Sequence, residues 1–130
     1  MRKLALVAPL LLGAAFVVFG LNGFLNFLPQ PNTPMPAGAM TYMTAFMGTY
    51  LMKLTMGTQL VSGLLLVSGF FVPLALLLLA PVIVNIILFH VTLMPATIAP
   101  GIVVLVLELY LAWAYRRSFA PVLTARAEPS

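Results

Sequence analysis

The chain has no cysteine and very few charged residues. Only 6% of its 130 residues are charged, and just two, Glu108 and Glu128, are acidic. The lack of cysteine excludes disulfides, thiol relays, zinc–thiolate sites and iron–sulfur clusters. The sequence also has no phosphate-binding loop, nucleophile elbow, dinucleotide fingerprint or pair of catalytic carboxylates. We therefore expect no catalytic centre within this chain.

Hydrophobic residues are the abundant class. They make up 63% of the chain, whereas a soluble domain usually carries about 25% charged residues. The composition predicts an integral membrane protein, and the length predicts a single domain over residues 1–130. Five of the six basic residues lie near the ends of the chain: Arg2, Lys3, Arg116, Arg117 and Arg126. Basic flanks around uncharged segments are typical of membrane spans and do not indicate a nucleic-acid-binding face.

Four apolar segments predict an all-α, antiparallel, transmembrane four-helix bundle. Their expected bounds are residues 3–28, 37–69, 73–93 and 98–117. The uncharged stretch over residues 72–90 is about as long as a bilayer's hydrocarbon core is thick. The apolar part of the first segment is about 25 residues long, too long for a signal peptide, so we interpret it as a retained helix. Gly13 and Gly20, seven residues apart, predict the close approach of a neighbouring helix.

Proline and glycine predict where the helices end. The segment PQPNTPMP, residues 29–36, predicts a stiff loop because it contains four prolines. One straight helix over residues 37–69 would be about 48 Å long, against a hydrocarbon core of about 30 Å. We therefore expect its first part to protrude, tilt or lie at the interface, with a bend at Gly48 or Gly57. Small and weakly polar residues form a stripe at sevenfold spacing along this segment: Thr41, Gly48, Thr55 and Ser62.

Polar residues within the apolar segments are the candidate functional residues, because such groups are costly in hydrocarbon. They are Asn22, Asn26, Gln59, Asn85, His90 and Glu108. In an antiparallel bundle they are expected to form one polar zone between the membrane midplane and its outer face. A central acid costs about +3 kcal/mol on the insertion scale. We therefore expect Glu108 to be protonated, hydrogen-bonded or paired with His90.

Each of these residues also has a structural interpretation. Glu108 can join helices, bind a ligand, handle a proton or face lipid. His90 can be a packing residue or a ligand-binding group, and Asn85 can satisfy the carbonyl that Pro81 leaves free. One histidine and one buried acid make a poor metal site, so we expect no metal, and no second axial ligand for haem is evident.

Three sequence segments resemble the DoxX-like family of small bacterial membrane proteins. They are FGLNGFLNFLP (residues 19–29), GLLLVSGFFVPLALLLLAPVIVNIILFH (63–90) and LELYLAWAYRRSF (107–119). The resemblance implies a four-helix bundle in the bacterial inner membrane and a link to membrane redox systems. The family's polar positions correspond to Asn22, Asn85, His90 and Glu108. Many relatives carry an acid and a base where this chain has Gln59 and Met56, so the ion pair of those relatives is absent here.

These observations lead to one main functional hypothesis and two alternatives. The main hypothesis is a non-catalytic accessory subunit of a membrane redox system that binds quinone or lipid and contacts oxidoreductase subunits. Glu108 and His90 would then hydrogen-bond the ligand's head group. The alternatives are a small-solute or proton pathway, and a structural or assembly partner that docks through the small-residue stripe. The basic ends predict a multi-pass inner-membrane protein with both termini in the cytoplasm.

Overall fold

The computed structural model describes residues 2–27 and 34–130, and this part of the chain is all helical, without a sheet. It contains six α-helices: Arg2–Leu25 (α1), Ala37–Met47 (α2), Tyr50–Ser68 (α3), Val72–Leu93 (α4), Ala99–Ala114 (α5) and Arg116–Phe119 (α6). Two 3₁₀ turns, Pro95–Thr97 and Ala120–Leu123, follow α4 and α6. Most of the predicted proline loop lies outside the described residues, and its last three residues, 34–36, are not helical.

Three of the helices are long and apolar enough to cross a membrane. The segments Lys3–Leu25, Tyr50–Ser68 and Val72–Leu93 have mean hydropathies of 2.5, 1.3 and 2.7. A fourth span is present if α5 and the segment after it, which bends away by 77°, are counted together. The protein is therefore a small all-helical bundle with three or four candidate membrane spans.

Glycines bring α1 and α3 into very close contact. A Cβ atom added to Gly13 would lie 2.8 Å from the backbone oxygen of Gly63, and one added to Gly20 would lie 2.9 Å from the Leu60 nitrogen. Further along, Gly23 faces Met56. Rising numbers on α1 meet falling numbers on α3, so the two helices are antiparallel. The close approach predicted from the glycine spacing is confirmed.

The bundle core lies where α1, α3, α4 and α5 meet. Seven large apolar side chains are fully buried there: Leu12, Phe16, Leu66, Leu76, Leu79, Ile83 and Leu111. The polar side chain of Ser62 is buried among them. The turn between α3 and α4 is tight because Gly69 adopts a left-handed backbone with φ of +80°. Helix α5 packs closely on α4 at Gly101, where an added Cβ would lie 3.3 Å from Ile86.

The second predicted helix is broken where Gly48 predicts a bend. Helix α2 ends at Met47. Thr49 is the N-cap of α3, because its hydroxyl accepts a hydrogen bond from the Leu51 N–H at 3.4 Å. The other candidate, Gly57, lies within an unbroken helix with open space beside it. The chain thus divides into a membrane-length α3 and a short α2.

A hydrogen bond joins α2 to α4. The Nδ2 of Asn85 donates to the Tyr42 hydroxyl at 2.8 Å, and the Tyr42 ring lies 4.9 Å from the ring of Phe89. We expected Asn85 to serve the carbonyl left free by Pro81, and this expectation is wrong. The asparagine instead binds a tyrosine of α2 that lies 43 positions away in the sequence. Local sequence does not encode such a contact.

Two helix ends differ from the sequence prediction. Helix α1 ends at Leu25 because Asn26 takes a left-handed backbone with φ of +51°, which asparagine tolerates better than most residues. Helix α5 ends at Ala114, and the predicted fourth helix over residues 98–117 is not one straight element. The bend places Arg116 and Phe119 across the end of the bundle.

Candidate functional site

The predicted polar residues fall at two ends of the bundle. We call the end that carries α2 and Pro95–Thr97 the α2 end, and the end that carries α6 the arginine end. His90 and Gln59 line a cleft toward the α2 end, and Glu108 lines a second cleft toward the arginine end. The two clefts share no lining residue.

The first cleft, the His90 cleft, has a volume of about 270 Å³. All four long helices and the segment between α4 and α5 contribute to its wall. The lining residues are Phe16, Phe19, Met56, Gln59, Ile86, His90, Thr97, Pro100, Gly101 and Val104. The wall is therefore mainly apolar and aromatic, with a few polar groups that can orient a ligand, as in most small-molecule sites.

The backbone fixes how His90 presents its ring. Its Nδ1 lies 2.7 Å from the carbonyl oxygen of Ile86, one turn earlier on α4. A carbonyl can only accept, so Nδ1 carries the hydrogen and donates it. The remaining nitrogen, Nε2, is then an acceptor when the ring is neutral and a donor when the ring is protonated. Phe89 packs edge-on against the same ring at 5.2 Å.

Gln59 supplies the second polar group of the His90 cleft. It is 5% exposed on α3 and carries both a donor and an acceptor on its amide. Ser62 lies one turn further along α3 and is completely buried. Its hydroxyl has no hydrogen-bond partner among the residues that the structure describes.

The second cleft, the Glu108 cleft, has a volume of about 350 Å³. It lies between the first turns of α4, the second half of α5, and the segment that bends back at the arginine end. The lining residues are Leu76, Leu77, Ala80, Glu108, Ala112, Arg116, Phe119, Val122 and Leu123. The wall is apolar apart from one carboxyl and one guanidinium group.

Glu108 is buried without a partner for one of its oxygens. The residue is 7% exposed, and its Oε1 has no hydrogen-bond partner within residues 2–27 and 34–130. Arg116 lines the same cleft, but its guanidinium donates to the Trp113 carbonyl at 2.9 Å and lies 4.6 Å from the centre of the Trp113 ring. The one arginine of this cleft is thus held by the tryptophan.

The expected single polar zone is therefore divided. On α4, the Glu108 cleft begins around Leu76 and ends at Ala80, ten residues before His90. Ten residues of α-helix rise about 15 Å, too far for Glu108 to pair with His90 directly. The physical reason is the register of α4 and α5, which are antiparallel. Gly101 lies against Ile86, so Glu108, seven residues further along α5, lies about seven residues earlier on α4, in the half near the arginine end.

The three candidate asparagines, Asn22, Asn26 and Asn85, line neither cleft. Asn85 is exposed and bound to Tyr42. Asn22 is half-buried on α1, and Asn26 is exposed just beyond the end of that helix. Their predicted role in ligand binding or proton handling stays a prediction.

Comparisons of the chain with models of protein families, with curated proteins and with solved structures find no match. What can be said of its type is that it is a small all-helical protein with three or four candidate membrane spans. Within the described part of the chain, no three His, Cys, Asp or Glu side chains lie close enough to hold a metal ion.

Sequence reasoning missed the roles of three residues in or near these clefts. Arg116 was noted only as one of the basic residues that flank the apolar segments, whereas the structure shows that it lines a cleft with Glu108. Tyr42 gave no signal as the partner of Asn85. Ser62 was predicted as a member of the small-residue stripe, but its buried, unpartnered hydroxyl follows only from the packing of α3 inside the bundle.

Proposed function

We propose that this chain is a multi-pass bacterial inner-membrane protein that binds the head group of a lipid-soluble quinone or quinol in the His90 cleft. It would act as an accessory component of a membrane redox system, without a catalytic centre of its own. The resemblance to DoxX-like proteins supports the redox setting. The apolar spans support the membrane setting.

The tethered imidazole of His90 carries this proposal. Because Nδ1 is bound to Ile86 at 2.7 Å, Nε2 is the nitrogen left to bind a ligand. A neutral ring accepts from a quinol hydroxyl, and a protonated ring donates to a quinone carbonyl. The Gln59 amide offers both functions, and Phe16 and Phe19 supply aromatic walls. One site can therefore hold either redox form of the same molecule.

The arrangement of charges supports the proposed orientation in the membrane. An antiparallel bundle of four spans brings the start of α1 and the end of α5 to the same side. Lys3, Arg116 and Arg117 then lie together, as expected for the cytoplasmic side. The His90 cleft would open toward the opposite, outer half of the membrane.

The two alternative functions have less support. A proton or solute pathway needs a connected polar route, whereas the two clefts share no lining residue. A docking role for the small-residue stripe needs one continuous exposed surface. Thr41 and Gly48 are exposed, but Thr55 is half-buried and Ser62 is buried, and the break at Gly48 divides the stripe between α2 and α3. Both remain hypotheses that uptake assays and crosslinking in native membranes can test.

Titration with decyl-benzoquinol tests the proposal. The protein is placed in phosphatidylcholine nanodiscs, kept free of oxygen, and compared with empty nanodiscs to correct for partition into lipid. We expect saturable binding that His90→Phe weakens about tenfold, because one buried hydrogen bond contributes about 1 to 1.5 kcal/mol. Glu108→Gln, in the other cleft, is the matched control and should bind normally. Absence of saturable binding, or equal binding by His90→Phe, would refute the proposal.

A further inference from the structure

The Glu108 cleft contains a polar group that the proposed quinone site does not use. An ionised carboxyl buried without a partner is strongly unfavourable, and even a neutral one left without a hydrogen bond costs about 1 to 3 kcal/mol. Only 7% of the Glu108 surface is exposed, and its Oε1 has no hydrogen-bond partner in the described part of the chain. A buried oxygen in this state is suited to bind a ligand that supplies the missing hydrogen bond or counter-charge.

Within residues 2–27 and 34–130, no basic side chain bonds to the Oε1 of this carboxyl. Arg116 is the other charged residue that lines the cleft, and its guanidinium is held by the Trp113 carbonyl and ring. The residues of α4 that line the cleft, Leu76, Leu77 and Ala80, are all apolar. A bound cation can therefore supply the partner that this oxygen lacks.

The walls define the rest of the ligand. A volume of about 350 Å³ with apolar walls accommodates a ring or a short alkyl body. Phe119 adds an aromatic face that attracts a cation. Leu77 is 45% exposed on the outside of α4, so the cleft is accessible from the side of the bundle, where lipid-soluble molecules partition.

We infer that the Glu108 cleft binds a lipophilic monovalent ammonium compound, whose charged nitrogen pairs with the Glu108 carboxylate and whose apolar body lies against α4 and Val122. The pairing is strong because the surroundings have a low dielectric constant and exclude most water. A carboxyl that holds a proton in the empty cleft releases it to water as the ammonium group enters, so charge is conserved. The site is separate from the His90 cleft and does not depend on quinone binding.

A matched pair of probes tests the charge requirement. We expect 4-phenylbutylamine, which is an ammonium ion at neutral pH, to bind saturably to the protein in phosphatidylcholine nanodiscs. Its neutral isostere, 4-phenylbutanol, should bind at least tenfold more weakly. Empty nanodiscs correct for partition into lipid. Equal binding of amine and alcohol, or no saturable binding of the amine, would overturn the inference.

Four variants test the location. Glu108→Gln should weaken amine binding at least tenfold, and Leu77→Trp should do the same by filling the cleft while keeping the carboxyl. Glu128→Gln removes the same charge from the C-terminal tail and should bind normally. If Glu108→Gln does not fold, Leu77→Trp decides the question, because Leu77 is partly exposed. His90→Phe should leave amine binding unchanged, which separates this site from the quinone site. If Leu77→Trp does not weaken amine binding, the assignment to this cleft is wrong.

Discussion

The contact between α1 and α3 leaves no room for a single methyl group at Gly63. A Cβ atom added there would lie 2.8 Å from the Gly13 carbonyl oxygen and 2.8 Å from the Val17 nitrogen. Both are backbone atoms, so neither can rotate away as a side chain would. We predict that Gly63→Ala forces the two helices apart and destabilises the bundle.

The expected magnitude follows from these distances and from a control on the same helix. Ordinary contacts begin near 3.4 Å, so the helices must separate by about 0.6 Å, and overpacking of this kind costs about 1 to 3 kcal/mol. Against this, alanine is favoured over glycine inside a helix by about 0.5 to 1 kcal/mol. Gly57→Ala has only the favourable effect, because an added Cβ meets nothing within 4 Å. The difference in unfolding free energy between the two variants should therefore be about 1 to 3 kcal/mol.

Unfolding in mixed micelles measures this difference. The protein in a mild detergent is titrated with sodium dodecyl sulfate, and helix content is followed by circular dichroism. Gly57→Ala should unfold at a higher fraction of dodecyl sulfate than the wild type, and Gly63→Ala at a clearly lower fraction than Gly57→Ala. If the two variants unfold together, the close antiparallel contact of α1 and α3 described above is incorrect.

Three further predictions concern other parts of the bundle. Tyr42→Phe removes the hydrogen bond to Asn85, so it should lower the unfolding free energy by about 0.5 to 1.5 kcal/mol and speed amide hydrogen exchange in α2. Tyr50→Phe is the control and should change neither quantity, because Tyr50 is 73% exposed. Unchanged exchange in Tyr42→Phe would contradict the docking of α2. Gly69→Ala should destabilise by about 1 to 2 kcal/mol, since its φ of +80° strains any residue with a Cβ although the space is open, and a neutral effect in the same unfolding assay would argue against the left-handed turn. Glu108→Leu should stabilise the protein by about 1 to 3 kcal/mol, because it removes a buried oxygen without a partner; a loss of stability would show that the carboxyl makes an interaction the structure lacks.

The elements of the fold were largely predictable because helix formation in apolar segments is local. Runs without charge predicted α1 and α4 to within a few residues, apart from the far end of α1. A length greater than the bilayer's hydrocarbon core predicted a bend at Gly48 or Gly57, and the break lies at Gly48. The sevenfold spacing of Gly13 and Gly20 predicted a close helix contact. Each of these predictions uses residues within one segment, because the helical repeat determines which of those residues lie on the same face.

The site was harder to predict because it depends on how the helices are rotated and where they bend. Glu108 was expected beside His90, but the register of α5 on α4, with Gly101 against Ile86, places the acid near the first turns of α4. Asn85 was expected to serve its own helix, but its partner is Tyr42. These relations join residues far apart in sequence.

The amino-acid sequence by itself determined that this protein is helical and apolar, and which few side chains carry polar chemistry. Chain composition and local spacing are sufficient for that. Only the tertiary structure decided that the imidazole and the carboxyl lie in separate clefts, since each degree of helix rotation and each bend is set by packing against neighbouring helices. The tethered His90 and the unpartnered Glu108 acquire distinct binding properties from that packing.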